Sequence, residues 1–516
     1  MYNFRKTFKR KNKKILFNNP DDFQLNINQL SVDLQENLNT IKQEFGNTSD
    51  LVIRKFIIGK STSKEAAAIY IEGLADSELV NEFITHSHSL MFELFQTGDI
   101  KESYEDNIFY LTKEVALTIG HVTIVINWKD VVSSLLDGNT IVLFNSNNNA
   151  LNISTTGGDY RSISEPTTQA VVRGSKESFI ESIRSNTVMI RRRIKNRNLR
   201  IEKIQIGDMS QTDVVFMYIE GTAKAQLITD VKQRLGKVDI NAIIESGHIE
   251  EIIQDKIITP FPTVFNTERP DQLSRNLLEG KVAIFVEGTP FALTVPTVFS
   301  EFFKTSEDYT QRYDISSLIR ILRYIAFHFS IFSSPFYIAL ITYHQEIIPT
   351  RFLISLMAQR EGVPYPVMIE ALLLEFTFEI LREAGIRIPR AIGPTVSIAG
   401  ALIIGEAAVS AGLVSPTMTI VVALTAVSSF AIPSYSMSNT TRILRFIFMI
   451  LASFSGIYGI TLGYFIMVAH LCSLYSFGVC YLSPFAPFYL EKQKDTILRF
   501  PFTLLDHDNK ENSKGK

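Results

Sequence analysis

Charge is segregated along this chain in a way that few folds permit. Between Ala391 and Leu490 only Glu406, Arg442 and Arg445 carry a formal charge, whereas the chain has 51 Lys/Arg and 53 Asp/Glu in its 516 residues. A soluble protein must wet its surface throughout, so a stretch of this length with almost no charge has to be covered by lipid or by protein. The fold class predicted is therefore composite: a water-facing α+β part at the N-terminal end, followed by a multipass transmembrane helical domain.

Charge gaps mark the spans. Tyr324–Tyr343 is 20 residues without a formal charge, long enough at 1.5 Å per residue to cross a hydrocarbon core of about 30 Å. An amphipathic piece, Glu301–Arg320, leads into it. Ala391–Tyr435 is broken only by Glu406 and has Gly412 and Pro416 near its middle, which predicts two spans and a tight turn. Phe446–Leu490 has room for two more, with no obvious dividing turn. The region between His344 and Arg390 is ambiguous, because its apolar run, Pro364–Leu381, carries three glutamates. Six crossings, counting that run, gather Arg320, Arg323, Arg382, Arg387, Arg390, Arg442, Arg445, Lys492 and Lys494 on one side. Five would strand Arg442 and Arg445 on the other. The domains read as a basic disordered arm (1–26), two α/β subdomains (27–160 and 161–315), a transmembrane domain of five or six spans (316–490) and a polar tail (491–516).

The soluble half is duplicated. Leu51-Val-Ile-Arg-Lys-Phe-Ile-Ile-Gly59 matches Leu199-Arg-Ile-Glu-Lys-Ile-Gln-Ile-Gly207, and Tyr70-Ile-Glu-Gly73 matches Tyr218-Ile-Glu-Gly221 at the same offset. Leu135-Leu-Asp-Gly138 and Ala150-Leu151 match Leu277-Leu-Glu-Gly280 and Ala292-Leu293 six residues closer. Each copy reads as strand, glycine turn, strand, helices and a closing hairpin, with Asn145–Asn149 as a loop tip. Two copies are too few for a solenoid, so this is a duplicated module.

No enzyme chemistry stands out. The phosphate-loop spacing fails at Arg54. There is no glycine-rich dinucleotide motif, no nucleophile elbow and no histidine pair at metal spacing, so neither catalytic residues, metal nor cofactor is predicted. His328 and His470 are lone histidines on apolar helices. Cys472 and Cys480 read as small hydrophobes in a buried helix. Arg191–Arg197 reads as a basic helix end facing water, and without interleaved aromatics or net positive charge nucleic acid is excluded as a main partner. The N-terminal Lys/Arg cluster suits an anionic lipid surface.

The residues that point to function are acidic. Glu370, Glu375 and Glu379 spread across about 180° of an otherwise apolar helix. They either line a water-filled pore or lie in an interfacial helix with their carboxylates in water. Glu406 sits mid-span, where an unpaired carboxylate costs about 2.5–3.5 kcal/mol. Ala401 and Gly405, Ala408 and Gly412, and Gly459 and Gly463 stand four apart, a spacing that lets helices approach closely.

The chain resembles the A subunits of the GerA-type spore germination receptors. The resemblance is carried by Asn266-Thr-Glu-Arg-Pro-Asp271, Glu287-Gly-Thr-Pro-Phe291, Val295-Pro-Thr-Val-Phe299, Ser306-Glu-Asp-Tyr309, Arg360-Glu-Gly-Val-Pro364, Glu370-Ala-Leu-Leu-Leu-Glu375, Phe378-Glu-Ile-Leu-Arg-Glu-Ala-Gly-Ile386 and Gly412-Leu-Val-Ser-Pro416. It implies a multipass protein of the spore inner membrane with its large N-terminal domain in the cytoplasm. It implies a complex with a transporter-like, nutrient-binding B subunit and a lipoprotein C subunit. It further implies a homo-oligomer, a pentamer, around a cation path gated by nutrient. A transporter subunit would need inverted repeats in the helical half, and the duplication lies in the soluble half. A non-conducting scaffold is the third reading.

Overall fold

The computed structural model describes residues 29–46, 48–58, 64–96, 108–117, 120–157, 165–238, 240–387 and 405–503. The basic arm, the end of the tail, Ala401 and most of the first half of the Ala391–Tyr435 segment lie outside the described residues. The chain divides into two compact units, residues 1–158 and 159–516.

The first unit is built on a five-stranded antiparallel sheet. Its strands are β1 (Leu51–Ile58), β2 (Lys64–Ile71), β3 (Val122–Val125), β4 (Thr140–Phe144) and β5 (Ala150–Ile153), in the order β1-β2-β4-β5-β3. Helix α1 (Leu34–Phe45) starts at Asp33, whose carboxylate accepts from the Gln35 N–H, and stops at Gly46 in the left-handed region. Helices α2 (Ser77–Gln96), α3 (Ile108–Leu117) and α4 (Trp128–Leu136) complete the unit. Phe56, Phe83, Phe109, Val142, Phe144 and Leu151 share its core.

The second unit opens with the same construction. Helix α5 (Ile183–Arg193) precedes β6 (Leu199–Ile206) and β7 (Thr212–Ile219). Helices α6 (Ala225–Leu235) and α7 (Ser246–Ile253), β8 (Phe265–Thr267), helix α8 (Pro270–Leu278), β9 (Val282–Val286) and β10 (Ala292–Val295) come after them. The strand order, β6-β7-β9-β10-β8, is the first sheet's order, and so is the register. Leu51 faces Ile71 as Leu199 faces Ile219, and Ala66 faces Phe144 as Val214 faces Val286. The repeat glycines explain why the duplication is still legible. Gly73, Gly221, Gly138 and Gly280 all have φ between 81° and 91°. A Cβ on Gly138 would lie 2.8 Å from the Leu74 carbonyl oxygen, and one on Gly280 would lie 2.7 Å from that of Thr222. Only glycine fits where the two turns of each copy meet.

A second shared device left no motif in the sequence. Buried Asn37 of α1 accepts from the Ser31 N–H at 2.9 Å and donates to the Ser31 carbonyl at 2.7 Å. Asn186 of α5 does the same with Ile180, at 2.9 and 2.6 Å. Each amide side chain pairs with a peptide six residues upstream and fixes the chain's entry into the helix.

The helical half is continuous with the second module. Phe261, Phe265, Phe299, Phe302 and Phe303 share one core with Phe327, Met437, Phe448 and Met467, which makes residues 159–516 a single compact unit. A short α9 (Glu307–Thr310) leads to α10 (Tyr313–Thr342), which is longer than the charge gap suggested because Arg320 and Arg323 are neutralised inside it. Then come α11 (Thr350–Arg360), α12 (Val367–Arg387), α13 (Pro416–Phe430) and α14 (Tyr435–Ser473). Of these, α10 and α14 are long and apolar enough to cross a membrane.

The dividing turn missing from the sequence reading is Gly456. It has φ 58° and ψ −138° and interrupts α14. The chain doubles back there: a Cβ on Gly463 would lie 2.8 Å from Phe448 Cε1, and the Phe332 ring meets both Phe448 and Tyr464. The two limbs are thus 435–455 and 457–473, and the described residues beyond Ser473 do not form a further span. Residues 475–480 form a small hairpin on the second module, where Ser476 Oγ donates to the Thr263 carbonyl and accepts from the Thr297 N–H.

Contacts with the module set the helix directions. The start of α10 meets the module through Arg320 and Asp308, and both ends of α14 meet it through Ser436 with Asn266 and His470 with Thr259. The Gly456 reversal lies at the opposite end, beside Tyr343, whose hydroxyl donates to the Ser453 carbonyl. Helix α13 begins at that far end, and in its last turn the Ser429 carbonyl accepts from the Ser438 hydroxyl near the module.

Three sequence readings need correction. Arg191 does not face water: it is 1% exposed, because α5 packs its last turn under the chain as it turns into β6. Cys472 is exposed on the outer face of α14, and Cys480 is half-buried in the terminal hairpin, so neither sits in a buried helix.

Candidate functional site

Helix α12 inserts its glutamates among neighbours that supply arginines from α11 and α14 and hydroxyls from α10 and α13. Glu375 is fully buried. Its Oε2 accepts from Arg445 Nη1 at 2.5 Å, and its Oε1 accepts from Ser334 Oγ at 2.8 Å and Thr425 Oγ1 at 3.3 Å. Arg445 is 1% exposed and also donates its Nε to the Ser330 carbonyl. One turn on, Glu379 pairs with Arg442, three residues before Arg445 on α14, in a two-pronged contact. The i, i+4 spacing of the acids and the i, i+3 spacing of the arginines place both pairs on facing helix surfaces.

The third glutamate is held differently. Glu370 is buried at the start of α12, where its Oε1 accepts from both the N–H and the hydroxyl of Ser415, at 2.7 and 2.5 Å. Ser415 is the N-cap of α13, so this anion lies at the positive end of that helix, with Arg360 Nη2 at 3.5 Å from Oε2. Each of the three carboxylates therefore has a cationic neighbour within its own chain, and none faces open solvent in the way an exposed acidic stripe would. Glu406, in the helical residues 405–410, is exposed.

Chemically, this is a set of neutralised ion pairs in an apolar bundle. Two paired charges out of water are strongly interdependent: removing one leaves the other with no solvent to turn to. Such pairs fix register between helices, and they respond sharply to movement of α12 against α14.

The small-residue pairs separate by location. Gly459 and Gly463 lie where the two limbs of α14 meet, Gly459 against Leu451 and Gly463 against Phe448. Gly412, at φ 67°, turns the chain into α13 beside the Gly362 carbonyl. Ala408 is packed at the edge of the bundle core, while a Cβ on Gly405 would meet nothing within 4 Å.

A second polar cluster, at the joint between module, α10 and tail, escaped sequence reasoning. Arg320, fully buried, pairs with Asp308 at 3.0 Å and with Asp495 at 2.8 Å, and Arg323 pairs with Asp308 at 2.8 Å. Asp495 also accepts from the Tyr309 hydroxyl at 2.6 Å and from Lys304 at 3.3 Å. Burial alone would raise the Asp495 carboxyl, but the charges of Lys304, Arg320 and Arg275 outweigh it and hold the group well below the usual range. Asp495 is 175 residues from Arg320. No local pattern joins them.

Residues 39–511 match the Bacillus/Clostridium GerA spore germination protein family. The chain belongs to that family. It is 46% identical to spore germination protein KA of Bacillus subtilis (strain 168) over 473 residues, covering 92% of this chain and 85% of that one. It is 35% identical to spore germination protein GerLA of Bacillus cereus over 477 residues, 92% of this chain and 95% of the relative. Against the crystal structure of the N-terminal domain of the A subunit of the Bacillus megaterium spore germinant receptor GerK3, identity is 38% with a TM-score of 0.42. That match covers 53% of this chain and 98% of the other. This GerA family member is a germination-receptor subunit of the A type.

Proposed function

We propose that this GerA subunit oligomerises in the spore inner membrane around a cation path that opens when nutrient binds to the receptor, and that Arg445 shields the Glu375 carboxylate from that path until it opens. The observation that carries this is the full burial of both members in a bundle with few other charges. A carboxylate kept in such a place must either serve helix register or be exposed in another state. In the resting state Arg445 neutralises Glu375. Movement of α12 against α14 releases Glu375, Glu379 and Glu370 toward the path between copies, where with exposed Glu406 they concentrate cations and repel anions. Six crossings agree with the described helix ends, since Arg387 closes α12 at the module end and Ser415 opens α13 at the far end. The modules, Arg442, Arg445 and the tail are then cytoplasmic.

The partners are a transporter-like B-type subunit that binds nutrient and a C-type lipoprotein, with five copies of this chain as the conducting unit. Nutrient recognition by B moves α12, and this chain converts the movement into cation release. In spores, Glu375→Gln should slow nutrient-triggered release of monovalent cations at normal subunit abundance. Unchanged release kinetics at normal abundance would overturn the proposal.

A further inference from the structure

The loop between α7 and β8 carries two of the most exposed isoleucines among the described residues. Ile257 is 72% exposed and Ile258 is 87% exposed, with exposed Lys256 before them. The loop is nevertheless fixed in place. Thr259 Oγ1 is 2.9 Å from His470 Nε2, and Phe261, two residues on, is buried in the core shared with Phe327, Met437 and Leu471. Both isoleucines are therefore held at the level of His470, one turn before the end of α14 at Ser473. On the outer surface of that limb, Leu462, Phe465 and Ile466 are all exposed. Exposed apolar side chains thus lie both on the helix and on the loop of the water-facing module that is fixed to its end. Phe488, Tyr489 and Leu490, just after the terminal hairpin, are exposed as well, and Glu491, Lys492 and Lys494 follow.

We propose that the Lys256–Thr259 loop is a lipid wedge. Ile257 and Ile258 enter the headgroup–acyl boundary of the bilayer around the bundle, and Lys256 rests on anionic headgroups, so that the second module is held by the membrane surface as well as by its contacts with α10 and α14. Two large aliphatic side chains beside a lysine, at the end of an apolar helix, match the chemistry of an interfacial anchor. The wedge rests on the reading that α10 and α14 cross the bilayer.

The test uses the full chain with Cys472→Ser and Cys480→Ser, reconstituted in phosphatidylcholine–phosphatidylglycerol vesicles with its partner subunits. Single cysteines introduced by Ile258→Cys, Met209→Cys and Phe465→Cys carry an environment-sensitive fluorophore, and nitroxide-labelled lipids quench it. Met209 is an exposed control in the β6–β7 turn, which adjoins the Val214–Val286 pairing, whereas the opposite end of the sheet, at Val282–Val295, leads to the bundle. Quenching at 258 should be severalfold that at 209 and strongest with shallow labels, while 465 is quenched by deeper ones. Quenching at 465 but no more at 258 than at 209 overturns the wedge while the spanning reading stands. No quenching at 465 overturns the spanning reading and the wedge with it.

Discussion

Breaking the Glu375–Arg445 pair should cost far more than its single contact distance suggests. In Glu375→Gln the shape is kept and the Ser334 hydrogen bond can persist, but Arg445 loses its carboxylate and retains only the Ser330 carbonyl. In Arg445→Met the aliphatic stem is kept, and a fully buried carboxylate is left with two hydroxyl donors, Ser334 and Thr425. Removing one member of a buried pair costs about 3–5 kcal/mol, whereas replacing both with apolar residues of similar volume is neutral or stabilising by about 1–4 kcal/mol. The double variant Glu375→Met/Arg445→Met should therefore be at least as stable as wild type, with a coupling of several kcal/mol between the sites. Reversible unfolding of the full chain in bicelles, followed by near-UV circular dichroism, measures all four corners of the cycle. Single variants losing less than about 1 kcal/mol each, the range of exposed pairs, would refute the reasoning. So would a double variant as unstable as the sum of the two.

Gly138→Ala and Gly280→Ala should each destabilise by at least about 1–2 kcal/mol, because both positions are left-handed and both face a carbonyl under 3 Å away. Gly247→Ala, in α7 with nothing within 4 Å, should be neutral or stabilise by up to about 1 kcal/mol, and thermal melts of the three compare them directly. Asn37→Ala and Asn186→Ala each remove a two-hydrogen-bond clamp and should cost similar amounts, about 1–3 kcal/mol; a large difference between them would argue against equivalent roles. The Asp495 carboxyl is held below its ordinary value when folded, so its contribution to stability is present above that value and is lost as pH falls from about 4. In melts taken from pH 6 downward, Asp495→Asn should start less stable than wild type and lose less on acidification; parallel pH profiles would contradict this.

The sequence announced those features whose physics leaves a local mark. Charge had to vanish where helices face an apolar surround, so the helical half was legible. The repeat survived because the left-handed turns at 73, 138, 221 and 280 favour glycine, and at 138 and 280 a carbonyl also excludes a side chain. The acidic face of α12 was legible from helical periodicity, but its partners were not. Arg442 and Arg445 are 63 and 70 residues from the acids they neutralise, and in sequence they looked only like markers of sidedness. The Gly456 reversal was hidden because a turn in an uncharged segment needs no polar residue, and three glycines lay close together. Arg191 and the Asn37 and Asn186 clamps were missed for a related reason. Burial of a polar side chain depends on a peptide partner that no spacing rule reveals.

The central claim is that a buried carboxylate on α12 is shielded by Arg445 until the receptor opens, and conductance in planar bilayers tests it most directly. Wild-type subunit, Glu375→Gln and Arg445→Gln would be compared as assembled receptors, with and without nutrient. The expected current is cation-selective, needs nutrient in wild type, is reduced by Glu375→Gln, and flows without nutrient in Arg445→Gln. Opposite signs for the two members of one ion pair separate a gate from a purely structural clamp. Silent assembled receptors, or two variants that shift the current in the same direction, would contradict it.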